Sequence, residues 1–320
     1  MATDPLKQDT LSMSDLSNMY SVAAAVLNSD KSLQNALDQI LKKKITDKAL
    51  QQQIIMNTDW YKTTSEKSRI FEMAKAKDPA TYAADLQTNA STIIRKWNQN
   101  GLTIDGATAV KYAENMMRGA VMKNGKTTVY DENYLNKMMA ESINFEKSKT
   151  LKNGMVIYDF DGKLADAAEK LYQLADAYGY KSTVSNQGFQ SWFEKSLSGL
   201  VSGAVNPQDI GDELKKNAMS AFPGLTDKIN QGFTFREAAD PWINALATEW
   251  EVDADQIDLN DDTLQRILNN QDEKGNIVPM NLYQAKTAAR RNPKWQYTSK
   301  AKEEYTNIGK SLLQTFGFLG

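Results

Sequence analysis

The chain has 320 residues, with 38 Lys and Arg against 40 Asp and Glu and a net charge of −2. That length can bury a core in one large or two ordinary domains, and the charge gives no global attraction to nucleic acid or an anionic membrane. Cysteine and histidine are both missing, which excludes disulfide scaffolds, thiolate and histidine metal sites, cysteine nucleophiles and Ser-His-Asp triads. Chemistry would fall to carboxylates, lysines, hydroxyls or the backbone, and no cofactor or metal is expected. No apolar run approaches the ~18 residues of a membrane span. The start, Met1-Ala-Thr-Asp-Pro5, lacks the basic and apolar regions of a signal peptide, so the expectation is a soluble protein made in a cytosol.

In chain order, Leu33, Leu37, Ile40 and Leu41 form the first clear stripe of an amphipathic helix. Asp78-Pro79 offers an N-cap acceptor followed by a proline with no amide to leave unpaired, which marks a helix start. Asn206-Pro207 and Asp240-Pro241 carry the same signal, and Pro79, Pro207 and Pro241 are read as first helical residues. Strand signals are confined to Val121-Met122 and Thr127 to Tyr130 around an Asn124-Gly125 turn, and to Met155 through Tyr158. Leu164, Ala168, Leu171, Leu174, Ala175 and Tyr178 make a second long stripe. The predicted class is all-α, a multi-helix array with at most small β-hairpins.

Laid on itself at an offset of 78, the chain aligns Gly101 with Gly179, Asp131 with Asp209, Ala140 with Ala218 and Ser142 with Ser220. Each copy reads as a helix stopped by glycine, a helix carrying Tyr112 or Trp192 and Phe193, a turn, and a short helix. Glycine is a common helix stop, so the pattern is either a duplication or two unrelated helical hairpins. It divides the chain into an N-terminal helical segment, 1–77, two helical units, 78–150 and 159–225, and a C-terminal segment, 226–320. No linker composition separates them.

Three patterns invite a chemical reading. Asp159-Phe160-Asp161-Gly162 after the apolar Met155 to Tyr158 resembles the first motif of haloacid-dehalogenase phosphatases, and that resemblance would make Asp159 the nucleophile and Asp161 the acid/base. Lys163 departs from the pattern, however, and no further buried strands follow to complete such a sheet. Asp261-Asp262 imitates only the late acidic pair, and in a polar run. Glu141-Ser142 resembles the Glu-Ser pair of lytic transglycosylases, whose glutamic acid protonates a glycosidic oxygen. The Gly-Leu-Met-Gln segment of that family is missing, and Ala218-x-Ser220 repeats the position without the acid. Asn270 to Asn281 spaces Asp272 and Gly275 like a calcium loop, but Lys274 and Asn281 stand where ligands are needed.

Charge is patterned only near the C-terminus. Residues 249–262 hold seven acids and no base, and residues 286–302 hold six bases and no acid, with Trp295 and Tyr297 interleaved. Arginine among aromatics could follow a nucleic-acid backbone; equally, the two runs could face each other or a neighbouring subunit. Pro293 breaks the helix carrying Lys286 to Arg291, and Thr298 can cap a last helix whose Tyr305, Ile308, Leu312 and Phe316 form one stripe. Arg290, Arg291, Lys294, Trp295, Tyr297 and Phe316 are therefore the candidate partner contacts. The stripe is expected to be buried against this chain or a neighbouring subunit.

Asn57-Thr58-Asp59-Trp60-Tyr61-Lys62 with Ser65, Arg69 and Asp78 to Tyr82, then Ala221 to Leu225 through Ile229, Gly232 and Asp240-Pro241-Trp242, and finally Arg291 to Thr298 through Phe316-Gly317, resemble helical virion proteins of tailed bacteriophages. Such proteins occur in tails or inside heads, and some leave with the genome. The resemblance implies no catalytic residues. Thirteen Met, thirteen Tyr and six Trp supply adaptable and anchoring side chains for subunit contacts, or they fill the core. The expectation is a non-enzymatic structural component of a phage particle, tail-associated and multi-copy, with other virion proteins as partners. The alternatives are an internal head or ejection protein contacting DNA, and a virion-associated cell-wall hydrolase.

Overall fold

The computed structural model describes residues 24–123, 126–146, 148–150 and 156–315. Among them are sixteen α-helices and two small antiparallel sheets of two strands each, the all-α architecture that the periodicity predicts. No described helix is long and apolar enough to cross a membrane. By its contacts the chain forms two units. One reaches to Ile143 and includes Asp161–Lys163 and Val201–Gly203; the other is made of Asn144–Phe160, Leu164–Leu200 and the residues from Ala204 on.

The first unit holds α1 (Ala24–Ser29), α2 (Lys31–Lys42), α3 (Lys48–Met56), α4 (Asp59–Thr63), α5 (Glu66–Lys77), α6 (Pro79–Gln99), α7 (Gly106–Arg118) and α8 (Glu132–Glu141). From α2 to α8 each helix starts on a side-chain acceptor, in turn Asp30, Asp47, Thr58, Ser65, Asp78, Asp105 and Asp131. Each takes a backbone amide that the first turn leaves without a partner. The stripe of α2 buries Leu33 and Leu37 with Val26, Leu27 and Trp60. Further on, Trp97 is 1% exposed, donates its indole N–H to Ser142 Oγ at 3.2 Å and packs on Tyr112. Strands β1 (Ala120–Lys123) and β2 (Lys126–Val129) pair with Ala120 opposite Val129; their Asn124-Gly125 turn lies outside the described residues.

Gly101 follows α6 with φ +74, and a Cβ there would stand 1.9 Å from the Asp161 carbonyl oxygen. Glycine serves two needs here, the left-handed backbone and the close approach of another peptide. Gly179 also follows a helix, with φ +65. The aligned aspartates differ: Asp131 is an N-cap, whereas Asp209 is the third residue of a helix capped by Asn206.

The second unit begins with β3 (Ser148–Thr150) and β4 (Val156–Tyr158), which pair antiparallel. It continues through α9 (Gly162–Ala177), α10 (Asn186–Ser202), α11 (Pro207–Ala221), α12 (Thr226–Asn230), α13 (Phe235–Trp250), α14 (Asp262–Leu268), α15 (Leu282–Arg290) and α16 (Ser299–Thr315). The stripe of α9 buries Leu164, Ala168, Leu171 and Ala175. Tyr158, Phe193 and Tyr172 stack in succession, with centroids 5.4 and 4.4 Å apart. A larger core gathers Phe222, Phe235, Leu246, Leu264, Ala289 and Trp295.

Pro79 and Pro207 open helices as read from the sequence. Pro241 does not, because it lies inside α13. There Thr234 and Glu237 form a capping box, with Glu237 N donating to Thr234 Oγ1 at 3.2 Å and Thr234 N to Glu237 Oε2 at 2.7 Å, and this box sets the start earlier. Proline has no amide to offer the Glu237 carbonyl, and the helix carries that loss. Strand β3 carries no sequence signal, since Ser-Lys-Thr is short and fully exposed.

Candidate functional site

The two opposed charge runs meet in the second unit. Helix α13 ends at Glu251, a non-glycine residue in the left-handed region with φ 54, and its carboxylate turns to the start of α16. It accepts the amides of Ser299 at 2.7 Å and Lys300 at 3.0 Å, and these bonds hold the Glu251 carboxyl below its ordinary pKa. Thr298 Oγ1 accepts from Ala301 N at 3.1 Å, and Lys300 Nζ reaches the Thr248 carbonyl at 2.7 Å. The base of α16 is thus fastened on several sides.

Beside it, Arg290 Nε donates to Glu249 Oε2 at 2.9 Å. The Glu249 side chain is only 4% exposed, and the hydrogen bond to it raises the Arg290 pKa above its usual value. Lys294 Nζ donates to Asp261 Oδ2 at 2.7 Å and lies 4.6 Å from the centre of the Trp250 ring. Asp261 also caps α14 through Thr263 N. Trp295 is buried, with its ring edge-on to Tyr305 at 5.9 Å.

Arg290, Lys294 and Trp295 are thus engaged within the unit. Arg291 is exposed and Tyr297 is 82% exposed, while Phe316 lies outside the described residues. Among the described residues the last stripe is not buried: Tyr305, Ile308 and Leu312 are about half exposed, and of α16 only Ala301 is buried. The bonds at the base fix the helix where no described surface of its own unit fully covers the apolar line. Leu313, also exposed, was not read from the sequence, and Glu251 was read only as one acid of the 249–262 run, not as the residue that holds the start of α16. Leu313 carries the plain signal of an apolar residue beside a stripe, and the clamp made by Glu251 carries none beyond its charge, because it depends on a partner 48 residues away.

Asp159 and Asp161 follow β4, whose sheet is a two-stranded antiparallel pair, and Gly162 begins α9 directly. Glu141 is exposed, with Lys137 Nζ at 3.9 Å, while Ser142 is taken by Trp97 and the Met139 carbonyl. Asp272 accepts from the amides of Lys274 and Asn276 and from the Asn276 side chain, folding a tight turn in which Gly275 has φ +82. Among the described residues no three acidic side chains gather as a metal site would require. Against protein-family models, curated proteins and solved structures the chain has no match.

Proposed function

We propose that the chain is a non-enzymatic structural component of a bacteriophage particle, tail-associated and present in several copies. One observation carries this reading: α16 is fastened at its base by Glu251, Thr298 and Lys300 and presents half-exposed Tyr305, Ile308, Leu312 and Leu313 beyond it. An apolar line on a fixed element is a contact face for another molecule. The resemblance of the three sequence stretches to virion proteins supplies the particle setting but not the place within it, and the tail placement is decided by the fractionation below. Glu141, Ser142 and Asp272 serve ion pairing, packing and a turn, which gives no support to the hydrolase alternative. The DNA reading loses much of its charge, since Arg290 and Lys294 are paired with acids.

The test is quantitative mass spectrometry of particles purified from a lysate of the phage carrying the gene, with tails and heads separated. The chain is expected with the tails at more than one copy per particle. Absence from purified particles overturns the reading, and recovery with heads alone overturns the tail placement. Peptidoglycan zymography and a phosphatase assay should show no turnover; activity that disappears in Glu141→Gln or Asp159→Asn would refute the non-enzymatic part.

A further inference from the structure

We infer that α16 is an arm latched by one carboxylate: Glu251 holds its first turn against the unit, and protonation of that carboxylate releases the arm while the core beneath stays folded. A helix start leaves four amides without intrahelical partners. Glu251 Oε2 accepts from Ser299 N at 2.7 Å and Oε1 from Lys300 N at 3.0 Å, and Thr298 Oγ1 takes Ala301 N at 3.1 Å. Two of these three amides are thus held by a residue of another element, and both carboxylate oxygens of that residue are given to α16. Glu251 makes the reach from just beyond α13, in left-handed backbone with φ 54, a conformation disfavoured for any residue with a Cβ.

Little else holds the arm. Of its seventeen residues only Ala301 is buried, a single methyl group, and α16 supplies no other buried residue to the core of Phe222, Phe235, Leu246, Leu264 and Trp295. Tyr305 meets the ring of Trp295 while itself 55% exposed. The remaining fastenings are Lys300 Nζ on the Thr248 carbonyl at 2.7 Å and Glu304, 3.7 Å from Arg290 NH1 with both side chains about half exposed, a kind of pair that contributes little. A helix of this length with no packed face is marginal in water, so the arm can be lost locally. The charged groups around the latch are Lys300 on α16, whose charge favours the ionised carboxylate, Glu249 on α13 bound to Arg290 on α15 at 2.9 Å, Glu304 on α16, and Lys294, bound to Asp261 at 2.7 Å. Once protonated, Glu251 keeps one good acceptor oxygen and loses its charge beside the positive end of α16. The bonds from α16 hold its carboxyl below the ordinary 4.5, so the latch is closed at neutral pH and opens as pH falls through that lower value. It belongs to the isolated chain and stands apart from the particle reading.

The chain has no cysteine, so Lys310→Cys, exposed on α16, gives one site for a nitroxide whose paramagnetic resonance line shape reports the order of the arm, while near-ultraviolet circular dichroism follows the buried tryptophans. On acidification the slow-motion component should be lost below pH 4.5 while the tryptophan signal persists. Glu251→Gln, the uncharged counterpart of the protonated side chain, should show the mobile spectrum already at neutral pH with no further change in acid, and Glu304→Gln should keep the ordered one. An arm that stays ordered in Glu251→Gln, label order and tryptophan signal lost together on acidification, or equal release by Glu304→Gln overturns the latch. If Glu251→Gln fails to fold, the acid titration of the labelled chain decides.

Discussion

A methyl group at position 101 would fall 1.9 Å from the Asp161 carbonyl oxygen, whereas one at Gly203, with nearly the same φ of +73, would meet nothing within 4 Å. The two glycines thus separate backbone strain from overlap. Gly203→Ala should cost only the left-handed preference, about 1 kcal/mol, and Gly101→Ala about 3 kcal/mol or more, because a peptide must also move. Urea denaturation of both variants checks this, and equal losses would mean that the Asp161 segment yields freely. In the sequence Gly101 is legible as a helix stop. The approach of Asp161 is not, since it comes from a segment sixty residues away. Arg290 and Lys294 behave alike: their positive charge is legible, and their bonds to Glu249 and Asp261 follow only once α13, α14 and α15 are packed together.

At the level of elements, the segment after Asn292 contains two functionally different pieces. Truncation after Asn292 removes Trp295, Lys294 and the partners of Glu251, and should cost the second unit about 3 to 5 kcal/mol, the scale of losing a buried tryptophan. Truncation after Tyr305 keeps Trp295 with its ring partner, Thr298 and Ala301 and should leave the melting temperature nearly unchanged. Calorimetry of both chains checks the division; equal melting temperatures would show that Trp295 holds nothing together. Helix α2 was legible from its stripe, and α6 and α11 from the Asx-Pro pairs that open them. Pro241 misleads because Asp-Pro is a local signal and the capping box of Thr234 and Glu237 outweighs it. The last stripe was legible as a helix face, but periodicity says only that a face is apolar, and the neighbour that covers it is settled by tertiary geometry. In the candidate contact, the helix break at Pro293 was legible, whereas the burial of Trp295 within its own unit and the clamp from Glu251 depend on packing and on a left-handed residue that the sequence does not mark.

For the whole molecule, the lack of histidine and cysteine leaves no side chain of those types to titrate near neutrality. Asp78, Asp105, Glu114, Glu237, Glu251 and Asp272 are held below their ordinary values, chiefly by hydrogen bonds. Their stabilisation is present above the unfolded values of 3.8 and 4.5 and is lost as pH falls through the lower folded ones. Burial raises Tyr82, Tyr112, Tyr158, Tyr172 and Tyr180 above 10.0. Their stabilisation is full below 10.0 and is lost as pH rises through the higher folded values. Stability should therefore be flat between about pH 6 and 9 and fall on both sides, with tyrosinate absorbance appearing together with unfolding on the alkaline limb. Tyrosinate that appears while helicity is intact would refute the alkaline half.

The bonds fastening α16 join residues 48 to 52 positions apart. A contact of that span closes its loop before it yields any stabilisation, and the exposed part of this helix is too short to persist in water alone. The apolar line therefore does not exist on a nascent or collapsed chain. It appears only after the segment from Phe235 to Arg290 has condensed beneath it. Any contact made through that line is in this way postponed until folding is complete, and molecules that stall earlier do not present it.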